Sequence, residues 1–309
     1  MFDLENSITQ KVELETLNKR SIDLFIKRDD LIDQHVSGNK WRKLKYNVDY
    51  AIQMKNEGIL TFGGAFSNHL LATAAACHKI GIKSIGIVRG EELSIDSNDT
   101  LKNCSLMGMQ LVFVSRERYS LRNEKAFQEE LSFKYSNFHI VPEGGSNYYG
   151  LIGCQELLLE TPNDYDYIFI AQGTTTTSAG VLLAIPEKTK MNVVPVLKGF
   201  DAIAEMKNLF NYSGIEASFA IELLNRVEVL TDYHFGGYGK YTSELLDFME
   251  TFYEQTTIPL DPVYTGKTMY ALFGWIDKFN ISNCSILFIH TGGIQGGKMI
   301  AKKEGRSFS

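Results

Sequence analysis

The chain has 309 residues, of which 44% are apolar, and its formal net charge is −6. That length corresponds to one large domain or two ordinary ones, of roughly 100–200 residues each, and the apolar fraction is sufficient for a substantial core. The acidic balance and the lack of a long basic run exclude nucleic acid and anionic membrane as expected partners and leave a small metabolite.

The four cysteines, Cys77, Cys104, Cys154 and Cys284, lie far apart and form no CxxC pair. This spacing is typical of thiols in a reducing compartment, not of a disulfide framework or a zinc site. The first ten residues contain acidic side chains and no apolar core, unlike a secretory signal. No apolar stretch reaches the ~20 residues that span a bilayer. We therefore expect a cytoplasmic protein with no metal site and no membrane contact.

Short apolar, β-branched runs alternate with longer segments of helical periodicity. The predicted strands are 22–26, 59–62, 84–88, 110–114, 139–141, 167–170, 193–197 and 286–289. The predicted helices include 67–80, 101–107, 149–160, 200–209, 243–253 and 267–278. This alternation predicts an α/β fold with mostly parallel sheets flanked by helices. Because no linker is visible, we expect two domains woven from the chain, with the site in the cleft between them.

Lys40 follows a Ser-Gly-Asn turn (37–39) at the start of a predicted helix, and Arg42 and Lys43 come directly after it. Neighbouring cations disfavour protonation of an amine, and a neutral lysine amine can form a Schiff base with an aldehyde. The same cluster would attract a phosphate. The alternative is an ordinary basic, solvated helix start, which this heptapeptide alone favours.

Four polar or glycine-rich segments directly follow predicted strands, namely 63–69, 144–147, 172–177 and 291–293. Because ligands bind at the carboxyl ends of parallel strands, we expect the four segments to share one rim. In the first segment, Ser67 is an expected helix N-cap, and the N–H groups beside it suit a carboxylate. His69, taken alone, is more often a packed or surface histidine than a catalyst.

Four consecutive threonines, Thr174, Thr175, Thr176 and Thr177, follow Gly173 between a buried strand and an apolar helix. Hydroxyls and backbone N–H groups at a helix N-terminus form an anion cradle, most naturally for a phosphate. The segment is neither a P-loop nor a Rossmann fingerprint. The alternative is a simple extension of the strand.

Two tyrosines lie in loops that could border a site. Tyr264 precedes a predicted helix, and Tyr238 is surrounded by glycines. Either could present a phenol to a substrate or be one of 15 ordinary tyrosines. The glycine pair after Thr291 permits a close approach of a ligand to the backbone, or is a plain turn. Motifs for metal hydrolysis or serine-hydrolase chemistry do not occur.

In their order along the chain, these motifs resemble those of the 1-aminocyclopropane-1-carboxylate (ACC) deaminase / D-cysteine desulfhydrase family. The motifs are Ser-Gly-Asn-Lys (37–40) with Lys43, Gly-Ala-Phe-Ser-Asn-His (64–69), the threonine-rich loop before 179–180, Asp-Pro-Val-Tyr-x-Gly-Lys (261–267) and His-Thr-Gly-Gly (290–293). The resemblance spans nearly the whole chain. It implies fold type II of the pyridoxal-phosphate enzymes, as in the tryptophan synthase β-subunit. A large domain of residues 1–46 and 154–309 would surround a smaller inserted domain of 47–153, and the protein would be a homodimer.

The resemblance also implies a pyridoxal phosphate (PLP) cofactor and assigns residues to it. Lys40 would hold PLP as a Schiff base and later move the substrate's Cα proton, with Asn39 beside the cofactor. Asn68 would hydrogen-bond the 3′ oxygen. The four threonines, Thr174, Thr175, Thr176 and Thr177, would bind the phosphate, with Lys43 nearby.

A small amino acid would be the substrate, bound near Ser67, Asn68, His69, Tyr238 and Tyr264. The resemblance places Ser67 and His69 at the substrate carboxylate or near Cα. It makes Ser67 and Tyr264 catalytic candidates besides Lys40. Which of these three moves each proton stays open.

Two positions differ from the motifs that the family resemblance gives for the deaminases proper. Those motifs are Tyr-Glu-Gly-Lys, with Glu at the position of Thr265, and His-Leu-Gly-Gly, with Leu at the position of Thr291. A glutamate near the pyridine nitrogen favours its protonation and a strong electron sink, whereas a threonine leaves it closer to neutral. Elimination of a thiolate needs less carbanion stabilisation than opening a cyclopropane ring. The preferred expectation is therefore a D-cysteine desulfhydrase that forms pyruvate, sulfide and ammonia.

Three alternatives remain open from the sequence. The first is an ACC deaminase. The second is another PLP reaction on the same scaffold, such as racemisation or β-replacement, because all of these begin with the same proton abstraction. The third is a non-catalytic protein that binds PLP or an amino acid.

Overall fold

The structure is a computed structural model that describes residues 4–33, 36, 38–161 and 164–308, except for the side chain of Gln295. Ser37 of the predicted Ser-Gly-Asn-Lys motif lies outside the described residues. In the described part of the chain, no helix has both the length and the apolar composition of a membrane span.

The described residues form ten strands: β1 (Thr9–Val12), β2 (Ile22–Arg28), β3 (Gly58–Gly64), β4 (Lys83–Arg89), β5 (Met109–Val114), β6 (Phe138–Ile140), β7 (Tyr167–Gln172), β8 (Lys190–Pro195), β9 (Val227–Val229) and β10 (Cys284–His290). The helices are α1 (Glu15–Asn18), α2 (Asn39–Gln53), α3 (Asn68–Ile80), α4 (Asp99–Leu106), α5 (Arg116–Ser120), α6 (Lys125–Lys134), α7 (Tyr148–Leu159), α8 (Thr176–Leu183), α9 (Ala202–Tyr212), α10 (Ala217–Leu224), α11 (Ser243–Thr256), α12 (Thr265–Lys278) and α13 (Ile294–Glu304). Each predicted strand and helix named above overlaps one of these elements.

The chain divides into two compact units. The small unit is Lys40–Gly153, and the large unit consists of the described residues before Lys40 and after Gly153. The predicted first boundary, at residue 46, falls inside α2. The chain passes into the small unit at Asn39–Lys40, at the start of α2, and leaves it after Gly153.

The large unit contains a six-stranded sheet in the order β1–β2–β10–β7–β8–β9. Neighbouring strands are parallel except for β1 and β2, which pair antiparallel. Phe169 of β7 and Ile286 and Phe288 of β10 are fully buried, as expected for central strands covered on both faces. Trp275 of α12 packs on Phe169, with ring centroids 5.3 Å apart.

The small unit contains a four-stranded, all-parallel sheet in the order β5–β4–β3–β6. Its helix α3 begins at the N-cap Ser67, whose Oγ accepts a hydrogen bond from Leu70 N, and ends at Gly81 in a left-handed conformation. Apolar residues of α3, among them Leu70, Leu71 and Ala74, form one of the cores of this unit. Because β3 and β6 are parallel neighbours, the polar segments that follow them lie at the same edge of this sheet.

Candidate active site

Each unit brings two of the four predicted loops to one sheet edge. In the small unit, 63–69 and 144–147 follow the neighbouring parallel strands β3 and β6. In the large unit, 172–177 and 291–293 follow the neighbouring parallel strands β7 and β10. Carboxyl ends of adjacent parallel strands meet at one edge, so each pair of loops lies together within its unit.

Lys40 is half-buried at the start of α2, and the two cations beside it are buried. Arg42 is 0% exposed and Lys43 is 1% exposed. The alternative interpretation of this segment as a basic, solvated helix start is therefore wrong. Burial of charged groups is costly unless they are paired, so the cluster has a structural or functional purpose.

Ser67 and Asn68 form the start of α3 in the small unit. Ser67 Oγ accepts the Leu70 N–H at 3.2 Å, which leaves the hydroxyl proton available to a ligand. The Asn68 side chain is exposed and makes no hydrogen bond to any residue that the structure describes. An N-cap hydroxyl, an amide and the N–H groups of the first helical turn suit a carboxylate or another anionic oxygen.

His69 is 4% exposed, and its Nε2 lies 2.9 Å from Thr61 Oγ1. The Thr61 hydroxyl donates its one proton to Val141 O, so Nε2 of His69 must be the donor of the pair. Nδ1 then carries a lone pair and has no hydrogen-bond partner among the described residues. Burial, followed by the charges of Lys43 and Lys40, lowers the pKa of His69 to about 3. A neutral ring whose second nitrogen carries a lone pair cannot donate a hydrogen bond from that nitrogen, so it is unsuited to the predicted contact with a substrate carboxylate.

Asn39, the residue before Lys40, is fixed to both loops of the large unit. Its Nδ2 donates to Thr177 Oγ1 at 2.6 Å, and its backbone N–H donates to Thr291 O at 3.3 Å. A Cβ on the preceding Gly38 would lie 1.9 Å from Thr291 O, so this close approach requires glycine. The backbone that leads into Lys40 is thus positioned by the threonine loop and by the Thr291 loop.

The threonine loop ends at the N-terminus of α8, where backbone N–H groups lack helical partners. The hydroxyl of Thr176 is fully buried and has no hydrogen-bond partner in the described part of the chain. Thr177 accepts from Asn39 and keeps its own proton to donate. A buried, unpaired hydroxyl is destabilising unless a ligand satisfies it, so these residues fit a phosphate group.

Asp261 organises the N-terminus of α12 in the large unit. One carboxylate oxygen accepts from the N–H groups of Val263 and Tyr264, and the other accepts from Thr265 N and Thr265 Oγ1, all at 2.8–2.9 Å. A Cβ on Gly293 would lie 2.7 Å from the same carboxylate, so the Thr291 loop packs directly on it. Thr265, predicted to touch the cofactor, donates its only hydroxyl proton to Asp261.

Tyr264 lies against the threonine loop, since a Cβ on Gly173 would meet its ring carbon Cε1 at 2.7 Å. Tyr238 is 55% exposed, and its ring packs edge-on against Tyr264 with centroids 6.2 Å apart. The two predicted substrate-facing tyrosines are therefore neighbours, and Tyr264 lies beside the loop that fits a phosphate.

Sequence reasoning assigned no role to Asp261, Gly38 or Lys267. The signal for Asp261 was present, because an acidic residue shortly before a helix start is typical of a cap. Gly38 and Lys267 gave no such signal, since the close approach of Gly38 to Thr291 and the burial of Lys267 depend on residues far away in the chain.

Comparison with known proteins connects these features to a family. Residues 3–292 match the family described as "Pyridoxal-phosphate dependent enzyme". A "Putative 1-aminocyclopropane-1-carboxylate deaminase" of Pyrococcus horikoshii is 33% identical over 284 residues, which cover 89% of this chain and 85% of the relative. The mitochondrial "Bifunctional D-cysteine desulfhydrase/1-aminocyclopropane-1-carboxylate deaminase" of Arabidopsis thaliana is 31% identical over 301 residues, covering 89% of this chain and 73% of the relative.

A solved structure is similar over nearly the whole chain. The crystal structure of an ACC deaminase homologue superposes with a TM-score of 0.79 at 28% identity and covers 98% of this chain and 94% of the other. A structure of threonine deaminase isoform 2 from Solanum lycopersicum, at 15% identity and a TM-score of 0.65, shares the fold. The predicted fold type II is thereby confirmed. The chain belongs to the pyridoxal-phosphate dependent enzymes, in the ACC deaminase / D-cysteine desulfhydrase family, and it is an enzyme that uses PLP.

Proposed function

We propose that this enzyme is a D-cysteine desulfhydrase, which releases sulfide, pyruvate and ammonia from D-cysteine by β-elimination. The observation that carries the assignment of the site is the position of Asn39. It hydrogen-bonds Thr177 of the threonine loop and Thr291 of the neighbouring loop, and Lys40 follows it directly. The residue that precedes the lysine is thus bound to a loop that fits a phosphate.

In this proposal Lys40 carries PLP, and the hydroxyls and backbone N–H groups of Thr174 to Thr177 bind its phosphate. The unpaired Thr176 hydroxyl and the free proton of Thr177 supply two donors. Asn39 lies beside the cofactor, Lys43 adds positive charge nearby, and the exposed Asn68 amide donates to the 3′ oxygen. When bound, PLP stabilises the negative charge that develops on Cα of an amino acid.

The remaining roles belong to side chains of the chain itself. The Lys40 amine, set free when the substrate's amine takes its place, accepts the proton from Cα. The Ser67 hydroxyl, whose proton is not used in capping α3, donates to the substrate carboxylate together with the N–H groups of the first turn. Tyr264 and Tyr238, whose rings pack against each other, border the substrate in this proposal, and the Tyr264 phenol exchanges a proton with it.

The choice of D-cysteine rests on the groups near the pyridine nitrogen. By the family resemblance, the deaminases proper have a glutamate at the position of Thr265. The neighbouring acid, Asp261, already accepts four hydrogen bonds from α12 and its leading loop. The Thr291 hydroxyl forms no hydrogen bond with a described residue and remains available to the ring nitrogen. A neutral hydroxyl favours a weaker electron sink, which suffices when thiolate leaves.

The substrate assignment is tested by incubating the pure holoenzyme with D-cysteine, L-cysteine and ACC, and measuring sulfide and keto acid. We expect sulfide and pyruvate in equal amounts from D-cysteine. Keto acid from ACC without sulfide from D-cysteine would overturn the proposal. Running the reaction in deuterated solvent and analysing the recovered amino acid separates elimination from racemisation.

The lysine assignment is tested by reducing the holoenzyme with borohydride and mapping the modified peptide. We expect the label on Lys40, and we expect Lys40→Ala to abolish turnover. Lys45→Ala, on the same helix, is the matched control and should remain labelled and active. A label on another lysine would refute the role of Lys40.

ACC deamination is the second candidate, because the archaeal relative and the Arabidopsis enzyme carry that activity in their names. The same substrate panel decides between them. A bifunctional enzyme would form keto acid from both substrates, and the ratio of kcat/KM values would then identify the preferred one.

We propose in addition that the enzyme is a homodimer in a reducing, cytoplasmic compartment. The four cysteines are free, and three of them are buried. Sedimentation of the holoenzyme tests the assembly, since a single chain has a mass of 34.8 kDa.

A further inference from the structure

The segment of residues 234–240, here called the Tyr238 loop, has an unusual backbone. Phe235, Gly236, Gly237 and Gly239 all have positive φ values, of 51°, 91°, 115° and 68°. Glycine adopts such angles readily, whereas a phenylalanine in this region costs on the order of 1 kcal/mol. A loop with this conformation is held in place by interactions with its surroundings.

Lys267 provides two of those interactions from the first turn of α12. Its side chain is 0% exposed, and Nζ donates to His234 O and to Gly237 O, both at 2.8 Å. Burial lowers the pKa of Lys267 to about 8, against the opposing charge of Asp261. A buried amine is costly, and an apolar side chain of similar length would pack without that cost. The hydrogen bonds to the loop are what the lysine adds.

A lysine with a lowered pKa is also the type of residue that forms Schiff bases. Lys267 is unsuited to that role because its nitrogen is buried and already directed at two backbone carbonyls. Its function is therefore in the loop that it binds. That loop carries Tyr238, whose ring contacts Tyr264, the residue that precedes α12.

We propose that Lys267 is a positioning residue that anchors the Tyr238 loop to α12 and so holds Tyr238 against Tyr264 at the substrate. The expected change in KM rests on the proposed function. The expected change in the order of the loop rests on the loop geometry alone. Because Lys267 binds backbone carbonyls at both ends of the turn 234–237, it holds the backbone that carries Tyr238.

Lys267→Met is the test variant, and Lys278→Met is its matched control. Lys278 is an exposed residue at the end of the same helix. Amide hydrogen exchange of the holoenzymes reports the loop directly, since the N–H groups of Gly236, Gly237 and Lys240 are hydrogen-bonded within it. We expect exchange of peptides covering 234–240 to be at least about tenfold faster in Lys267→Met than in wild type or in the control.

Kinetics with D-cysteine give the second measurement. We expect KM to rise at least about tenfold in Lys267→Met, with a smaller change in kcat and unchanged PLP content, because substrate contacts are lost while the lysine and phosphate sites remain. A role in stability alone would lower the melting temperature and leave both KM and loop exchange as in the control.

Wild-type exchange in 234–240 together with an unchanged KM would overturn the proposal. If wild-type enzyme does not turn over D-cysteine, the proposed function fails, but loop exchange still decides the role of Lys267. If Lys267→Met does not fold, loop exchange and KM are compared between Lys267→Gln and the wild type, with the same expected results. Loop exchange in wild type as fast as in the exposed residues 302–305 would refute the anchor.

Discussion

Thr265 and Thr291 both stand where the deaminases proper differ from this chain, yet their hydroxyls have different surroundings. Thr265 Oγ1 donates to Asp261 and accepts the Asp261 N–H, so it belongs to the cap of α12. Thr291 contributes its backbone carbonyl to Asn39, and its hydroxyl binds no described residue. One threonine is thus committed to the fold, and the other is available to a ligand.

Exchanging each threonine for valine separates these two roles. We expect Thr265→Val to lower the free energy of unfolding by about 1–3 kcal/mol, because the Asp261 N–H loses its acceptor and one Asp261 carboxylate oxygen loses one of its two donors. We expect Thr291→Val to leave stability nearly unchanged and to alter the absorption spectrum of bound PLP. Denaturant unfolding and absorbance spectra of both variants measure this, and the reverse pattern would contradict the assignment.

His69 is a second residue whose role depends on its surroundings. Sequence alone left it as a possible contact of the substrate. The structure surrounds its ring with Thr61 and with the side chain of Lys43, and Gly145 lies next to its Cε1. Its ring is tied to Thr61 of β3 within the same unit, and its buried Nδ1 has no hydrogen-bond partner among the described residues.

The lowered pKa of His69 predicts how stability depends on pH. Between pH 6.5 and about 3 the unfolded chain binds a proton on this histidine and the folded chain does not. The free energy of unfolding therefore falls as the pH falls through that window, by ~1.4 kcal/mol per unit at most. Unfolding curves of wild type and His69→Gln should show a shallower loss in the variant.

His139→Gln is the comparison variant. Burial lowers the pKa of His139 only to about 4, so the pH range over which it destabilises the folded chain is narrower, and its replacement should change the pH dependence less than His69→Gln. Nuclear magnetic resonance of the imidazole nitrogens gives an independent check. A positively charged His69 ring, with protons on both nitrogens, above pH 5 would contradict the neutral form with its one proton on Nε2.

At the scale of elements, the segment that enters α2 is the most constrained. Gly38 has a φ of 65°, and its α-carbon lies against the carbonyl of Thr291. Asn39 then hydrogen-bonds the loops after β7 and β10. The start of the helix is therefore determined by contacts with distant strands and not by its own helix propensity.

Gly38→Ala should displace this segment, because a Cβ would stand 1.9 Å from a backbone oxygen that cannot move independently. We expect a loss of more than about 2 kcal/mol in unfolding free energy and weaker retention of PLP. Gly214→Ala is the control, since Gly214 has a φ of 73° and nothing within 4 Å of the new carbon. It should cost only about 1 kcal/mol. Equal losses in the two variants would show that steric conflict at Gly38 is unimportant.

Elements with strong local signals were predictable. The capped start of α3 at Ser67 and the apolar run of β10 follow from short-range patterns. The antiparallel edge strand β1 and the short strand β9 were missed, because each has few residues and a mostly exposed or half-buried pattern. Their pairing with β2 and β8 supplies the stability that their own sequences lack.

At the scale of the whole molecule, the order of motifs along the chain was sufficient to predict the family. The lysine, the anion site and the carboxylate site that the family resemblance predicts each fall in a short segment at the carboxyl end of a strand or at the start of a helix. The division into two units was less accessible, since α2 crosses from one to the other at Asn39–Lys40 within a single helical run.

Sequence by itself determined the fold class, the family and the cofactor, because these follow from local residue chemistry and from the order of the motifs along the chain. Tertiary structure alone decided the surroundings of each side chain. It directed Thr265 to Asp261, made His69 neutral, buried Arg42 and Lys43 beside Lys40, and joined Lys267 to the Tyr238 loop. The reason is physical: hydrogen bonds, burial and pKa values arise from contacts between residues that are distant in the chain, and local patterns do not encode them.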